Sequence, residues 1–374
     1  MLSSLLRPLW AVLALVSLLA GCAVAPPGEP VPSSPSEVRE RIASLLPANL
    51  PDRTGWAIDI HAAFVALDIP PSLSNVCAVL AVTEQESSYR ADPAVPNLPK
   101  IARAELDQRA ARLHLPKFAL RAALQLASPD GRTYGERIDA ARTEKELSDI
   151  FEDFIDMVPL GQRLFGGFNP VRTGGAMQVS IAFAEQHASE RRYPYRVAGS
   201  IRNEVFARRG GLYFGIAHLL DYAAPYDRHL YRFADFNAGR YASRNAAFQS
   251  AVSIASGTPL ALDGDLLRQG SDRNAAPGST ELAVRSLGRQ LGMDDAAIRA
   301  ALEQGEGPGF ERSVLHRRVF ELAKARHGRP LPHAVLPRIA LRGPKITRKL
   351  TTEWFANRVD ERHRRCLARA GAAP

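Results

Sequence analysis

The chain has 374 residues, 46% of them hydrophobic and 23% charged, with a formal net charge of +9. That balance excludes wholesale disorder, and the length exceeds what one small core fills. Three cysteines (Cys22, Cys77 and Cys366) are too few for a disulfide scaffold or a multi-cysteine metal site.

Residues 1–21 read as an export signal. Arg7 supplies a positive start, and Leu9 to Ala20 form an apolar run interrupted only by Ser17. The run is too short to cross a ~30 Å hydrocarbon core as a helix. Leu19-Ala20-Gly21-Cys22 resembles the lipobox of bacterial lipoproteins, which implies cleavage before Cys22 and lipidation of its sulfur; an ordinary signal peptide with a chance cysteine is the alternative. Residues 22–37 are Pro-rich and read as a tether, extending by ~3.1 Å per residue. Ala23, where an aspartate would argue for inner-membrane retention, points to an outer-membrane anchor facing the periplasm. The expectation is a cell-envelope protein held to a membrane by its N-terminal lipid. Nucleic acid is not an expected partner, and the positive charge points to an anionic envelope polymer, peptidoglycan. Protein partners are not indicated.

Beyond the tether the pattern is helical. Val38–Leu46 and Trp56–Leu67 carry apolar residues at three- and four-residue spacings, and Ser74 can cap a helix running to about Ser88. Ile101–Leu113, Pro116–Ala127 and Thr143–Met157 follow, separated by Gly- and Pro-bearing turns. Residues 257–280 are rich in Gly, Asp, Ser and Pro and form a candidate boundary. Past it, Glu281–Leu302 and Glu311–Arg326 read as helices. The stretch from Lys324 to Lys349 has eight Lys/Arg and no acidic residue, and reads as a solvated basic loop or a polyanion contact. Cys77 and Cys366 either pair in a disulfide or remain a small core residue and a free thiol; the sequence does not choose.

Within residues 75–89, Val76, Val79, Val82 and Glu86 fall on one helical face, with Glu84 about 200° away. A carboxylate continuing an apolar stripe is desolvated, which raises its pKa as a general acid requires. The plainer reading is a solvated glutamate at a helix end.

Gln85-Glu86-Ser87-Ser88-Tyr89 resembles the glutamate–serine motif of soluble lytic transglycosylases and goose-type lysozymes. Gly174-Gly175-Ala176-Met177-Gln178-Val179 resembles their glycine–methionine–glutamine motif. Phe233-Ala234-Asp235-Phe236-Asn237-Ala238-Gly239 resembles their tyrosine–asparagine–alanine–glycine motif, with Phe236 where tyrosine is usual, and Gly215 to Leu220 echo the helix before it. The architecture also resembles a family of proteobacterial lipoproteins of unassigned role. The resemblance implies a mainly α, lysozyme-like α(+β) domain over residues 38–260, with a helical insertion at about 95–170 and a basic, helical C-terminal region at 275–374.

It further implies Glu86 as the catalytic acid and base, with Ser87, Met177, Gln178, Phe236 and Asn237 contacting glycan. The implied reaction is cleavage of the bond between N-acetylmuramic acid and N-acetylglucosamine. Asp235 is a candidate for positioning water if the reaction is hydrolytic. No cofactor and no metal is called for, because the histidines include no HExxH pair or clustered spacing. His218 and His229 read as structural or solvated. A non-catalytic peptidoglycan-binding or scaffolding lipoprotein, or a hydrolytic muramidase, are the alternatives.

Overall fold

In a computed structural model, the structure describes residues 34–157, 159–224, 226–268, 276–341 and 348–371. The export signal, Cys22 and the tether up to residue 33 lie outside them. So do residues 269–275 of the candidate boundary and 342–347 of the basic stretch.

Helix α1 (Pro35–Leu45) opens on a capping box: Ser34 Oγ accepts from the Glu37 N–H, and Glu37 accepts from the Ser34 N–H. The last three positions of the expected tether are therefore helical. Asp52 caps α2 (Arg53–Ala66) by accepting from the Gly55 N–H. Helix α3 (Leu73–Ser87) is capped by Ser72, not by Ser74, because Ser72 Oγ accepts from the Asn75 N–H at 3.2 Å. Every residue of α3 from Val76 to Thr83 is buried, which makes it a core helix wrapped on all sides.

Residues 95–170 hold α4 (Leu98–Arg112), α5 (Lys117–Leu124), α6 (Tyr134–Ala140), α7 (Glu144–Asp156) and α8 (Gly161–Phe165). Capping boxes open α6 at Thr133 and α7 at Thr143. This region keeps a small core of its own around Leu98, Tyr134, Ile138 and Ile150.

A short antiparallel hairpin, β1 (Thr173–Gly174) and β2 (Val179–Ser180), pairs Thr173 with Ser180 and Gly174 with Val179. It leads into α9 (Ile181–Glu190), α10 (Ile201–Phe206), α11 (Arg208–Leu220), α12 (His229–Ala238) and α13 (Ala242–Ser256). Next come α14 (Ser279–Ser286), α15 (Gly288–Leu291), α16 (Asp295–Leu302) and α17 (Val314–His327). The single helix expected over 281–302 is broken in two places, at Leu287 and at the left-handed Gly292. These helices share a core with α13 through Phe248, Val252, Leu291, Phe310 and Val319. A second two-residue hairpin, β3 (Ala340–Leu341) with β4 (Leu350–Thr351), precedes α18 (Thr352–Gly371).

The fold is mainly α-helical. Residues Arg39–Pro374 form one compact unit. Helix α18 packs along both α3 and α12, and Cys366 of α18 is joined to Cys77 of α3 by a disulfide with a Cα–Cα distance of 5.6 Å. The C-terminal segment is thus fastened to the glutamate helix across 289 positions. Among the described residues no helix is long and apolar enough to cross a membrane.

Candidate functional site

Glu86 lies one residue before the end of α3 and is half-buried. The apolar stripe does not single it out, because α3 is buried all round and Glu84 is half-buried too. What separates the two carboxylates is their surroundings. Glu84 faces α18, where it meets Arg362 Nε at 3.2 Å and an Arg365 guanidinium nitrogen at 3.6 Å. Helical geometry turns Glu86 about 200° from that ion pair.

The helix stops abruptly. Ser88 and Tyr89 both take positive φ, 51° and 61°, a conformation that side chains other than glycine rarely adopt. The Ser88 N–H closes on the Glu84 carbonyl, while the Tyr89 ring turns back into the core, its hydroxyl donating to the Leu80 carbonyl and its edge meeting Trp56. Such backbone strain persists where surrounding contacts over-determine it, and it clusters at functional sites.

Ser87 connects this end of α3 to the first hairpin. Its hydroxyl donates to the Ala176 carbonyl at 2.7 Å and accepts from the Arg90 N–H at 3.2 Å. The hairpin turn, Gly175 to Gln178, is closed by the Gln178 N–H on the Gly175 carbonyl. Gly175 has φ 75°, and a Cβ there would sit 2.2 Å from the Val205 carbonyl oxygen, so only glycine fits the turn against α10. Gln178 also has positive φ, and its amide donates to the Gly175 carbonyl.

Met177 is fully buried, seated over Gly215 of α11. One turn further along α11, His218 makes an edge contact with the Phe236 ring at 5.1 Å and with Phe183 at 4.7 Å. Burial, aided by the nearby Arg240, pushes His218 down to about 4 and keeps it neutral. A chain of contacts therefore joins the three motif segments: Ser87 to Ala176, Met177 to Gly215, and His218 to Phe236. Of the six residues expected at the site, Glu86, Gln178 and Phe236 keep part of their surface open. Ser87 and Met177 are internal and hold the segments together. Asn237 is exposed, and its side-chain oxygen accepts from Thr352 Oγ1 at 2.9 Å, which ties α12 to the start of α18.

Asp235 does not have the role considered for it. It is fully buried and accepts from the Tyr222 and Tyr226 hydroxyls and from the Tyr241 and Ser243 N–H groups. Burial pushes its carboxyl up, opposed by these hydrogen bonds, which occupy both of its oxygens inside the fold. It locks the α12–α13 corner. His229 is half-buried: with the buried His363 of α18 it brackets Ser74, the two rings 5.0 Å apart. Among the described residues no group of three or more His, Cys, Asp or Glu could hold a metal ion.

Helix α18 has no motif to mark it, and its only sequence signal is the helical spacing of Phe355, Val359, His363 and Cys366, all buried. Nor does any sequence pattern mark Arg244, which is 1% exposed and donates to the Gly305 and Gly307 carbonyls. These bonds offset the several kcal/mol that burying a cation costs.

The family described as "Protein of unknown function (DUF1615)" matches residues 49–369 of this chain. The chain is 55% identical over 357 residues to the protein named "Uncharacterized protein YaiW" of Escherichia coli (strain K12), covering 94% of this chain and 96% of that one. No solved structure matches significantly.

Proposed function

The chain belongs to the DUF1615 family, and we propose that it is a peptidoglycan-cleaving enzyme of the lytic transglycosylase kind, with Glu86 as its single acid and base. The observation that carries this reading is the seating of half-buried Glu86 at a strained helix end. There its neighbour Ser87 is bonded to the hairpin turn of the glycine–methionine–glutamine segment. A rigid wall beside a carboxylate is what a glycosidase acid needs, because the proton must be delivered to one oxygen in one geometry.

In the proposed reaction Glu86 gives its proton to the glycosidic oxygen as the C1–O bond breaks. The acetamido oxygen of the same muramyl residue stabilises C1. The Glu86 carboxylate then takes the proton of the C6 hydroxyl while O6 bonds to C1, leaving a 1,6-anhydromuramyl end and consuming no water. This is a substrate-assisted alternative to the usual two-carboxylate arrangement. Phe236 supplies a ring beneath the sugar but no hydroxyl, and Gln178 a side-chain amide. The lysozyme-like fold, export, lipidation at Cys22 and an outer-membrane, periplasm-facing location belong to the same proposal.

One observation favours a non-catalytic glycan-binding role instead: Asn237 is engaged by Thr352. Digestion of purified murein sacculi by the wild type and by Glu86→Gln decides between the readings. Anhydromuropeptides from the wild type alone support the transglycosylase. New reducing ends indicate hydrolysis, and retention on sacculi without any cleavage rejects both enzymatic readings.

A further inference from the structure

The region between α4 and α5 carries a surface that includes none of the residues assigned to cleavage. From Ala111 to Phe118 every residue is exposed, including Leu113 and Leu115, and Phe118 is 75% exposed. Helix α5 contributes no buried residue to the small core beside it. Single exposed leucines are ordinary, but three large apolar side chains within six positions make a patch. Phe168, also exposed, extends it, because Arg109 of α4 donates to the Phe168 carbonyl at 2.8 Å.

The patch is basic as well as apolar. Between Gln108 and Pro129 there is no acidic residue, while Arg109, Arg112, Lys117 and Arg121 all fall there. Among the described residues, Arg112, Lys117 and Arg121 form no ion pair. A shallow groove of about 270 Å³ runs between α4 and α5, bordered by Arg103, Lys117 and Arg121 with Leu106 and Leu120, and Asp107 as its one carboxylate. A short helix with cations beside large apolar residues is the composition of an interfacial membrane segment, in which the apolar side chains enter the acyl boundary and the cations meet phosphate. A glycan strand can meet the cations but offers no acyl boundary for Leu113, Leu115 and Phe118.

We propose that the α4–α5 region rests on an anionic phospholipid leaflet, with Leu113, Leu115 and Phe118 inserted and Arg112, Lys117 and Arg121 on the headgroup phosphates. The contact is independent of the N-terminal lipid and of the cleavage reaction. It sets which face of the molecule lies toward the membrane.

Because Arg39–Pro374 is a compact unit of its own, the chain from Ala23 to Pro374 tests the contact without an acyl anchor. Co-sedimentation is measured with vesicles of phosphatidylcholine alone and of phosphatidylglycerol and phosphatidylcholine in equal parts. The expected result is binding to the anionic vesicles only, weakened by 0.5 M salt. Phe118→Glu and the double variant Lys117→Glu/Arg121→Glu each lower it about tenfold or more, with unchanged thermal unfolding, since these side chains are exposed. His114→Gln, at the same tip, leaves binding intact. Absence of binding, equal binding to both vesicles, or binding untouched by the two patch variants overturns the proposal. So does a patch that instead mediates self-association, seen as a dimer that Phe118→Glu dissociates, or one that retains the chain on sacculi but not on vesicles.

Discussion

The hydroxyl of Ser87 donates to the carbonyl of Ala176 at 2.7 Å, across 89 positions of sequence. This bond sets the hairpin turn against the end of the glutamate helix, and both residues are buried. Ser87→Ala leaves the Ala176 carbonyl without its partner. The cost is that of an unsatisfied buried acceptor, about 1–3 kcal/mol, read as a lower midpoint in urea unfolding with unchanged slope. Murein cleavage falls further than stability does, because the turn beside Glu86 loses its anchor.

The two neighbouring carboxylates of α3 separate cleanly under substitution. Glu84→Gln weakens a partly exposed pairing with Arg362 and Arg365, worth at most about 1 kcal/mol, and leaves cleavage near wild type. Glu86→Gln keeps the fold and removes the proton donor, so turnover drops by at least about two orders of magnitude. Equal activity of the two variants on sacculi would remove Glu86 from the reaction.

Helices α4, α5 and α7 were legible in the sequence to within a few residues because their starts carry Pro116, Thr143 or a Pro-bearing turn. The cap of α3 was misplaced by two positions, since Ser72 and Ser74 are equally good caps on paper. Only the tertiary structure gives Ser74 to His229 and His363. The motif order pointed to segments that a chain of contacts starting at Ser87 links, but not to what each residue does there. Ser87 and Met177 are internal because the hairpin packs on α11, and Asp235 is internal because two tyrosines from residues 222–226 close over it. The pairing of Cys77 with Cys366 depends on α18, whose many arginines obscured its buried face.

The disulfide closes a span of 289 positions. A loop that long removes much conformational freedom from the unfolded chain, so the double variant Cys77→Ala/Cys366→Ala loses about 2–5 kcal/mol. Guanidinium unfolding of the wild type under oxidising and reducing conditions measures it, with the double variant insensitive to reductant. Both sulfurs are buried, so reduction requires that the chain first open.

Buried histidines make the fold acid-sensitive. Burial pushes His218, His229 and His316 down to about 4, and His363 is lowered for the same reason. The unfolded forms titrate near 6.5. Between those values the unfolded chain binds protons that the folded chain refuses, so stability is full above about pH 7 and falls as pH drops toward 4. At pH 5 each of the three histidines held near 4 accounts for about 1–2 kcal/mol of the loss. Asp235, whose carboxyl is raised, acts in the opposite sense. Urea unfolding at pH 7 and pH 5 measures the slope. His316→Leu reduces it by about one proton, and His114→Gln, at an exposed position, leaves it unchanged.

Gly215 is the tightest point between α11 and the hairpin. A Cβ at this position would lie 2.5 Å from Met177 Sδ and 2.6 Å from Met177 Cβ. The sulfur end of a methionine can swing aside, but its Cβ is fixed by the hairpin backbone, so the turn itself must move. Gly215→Ala therefore overpacks the core by about 1–3 kcal/mol and pushes Gly175–Gln178 away from α11, stretching the bond to Ser87. Glycan cleavage should drop together with stability. Met177→Gly in the same chain removes that Cβ with the rest of the side chain, so the double variant is more stable than the sum of the two single losses predicts. A double-mutant cycle with a coupling below about 0.5 kcal/mol would show that the two residues do not share this contact.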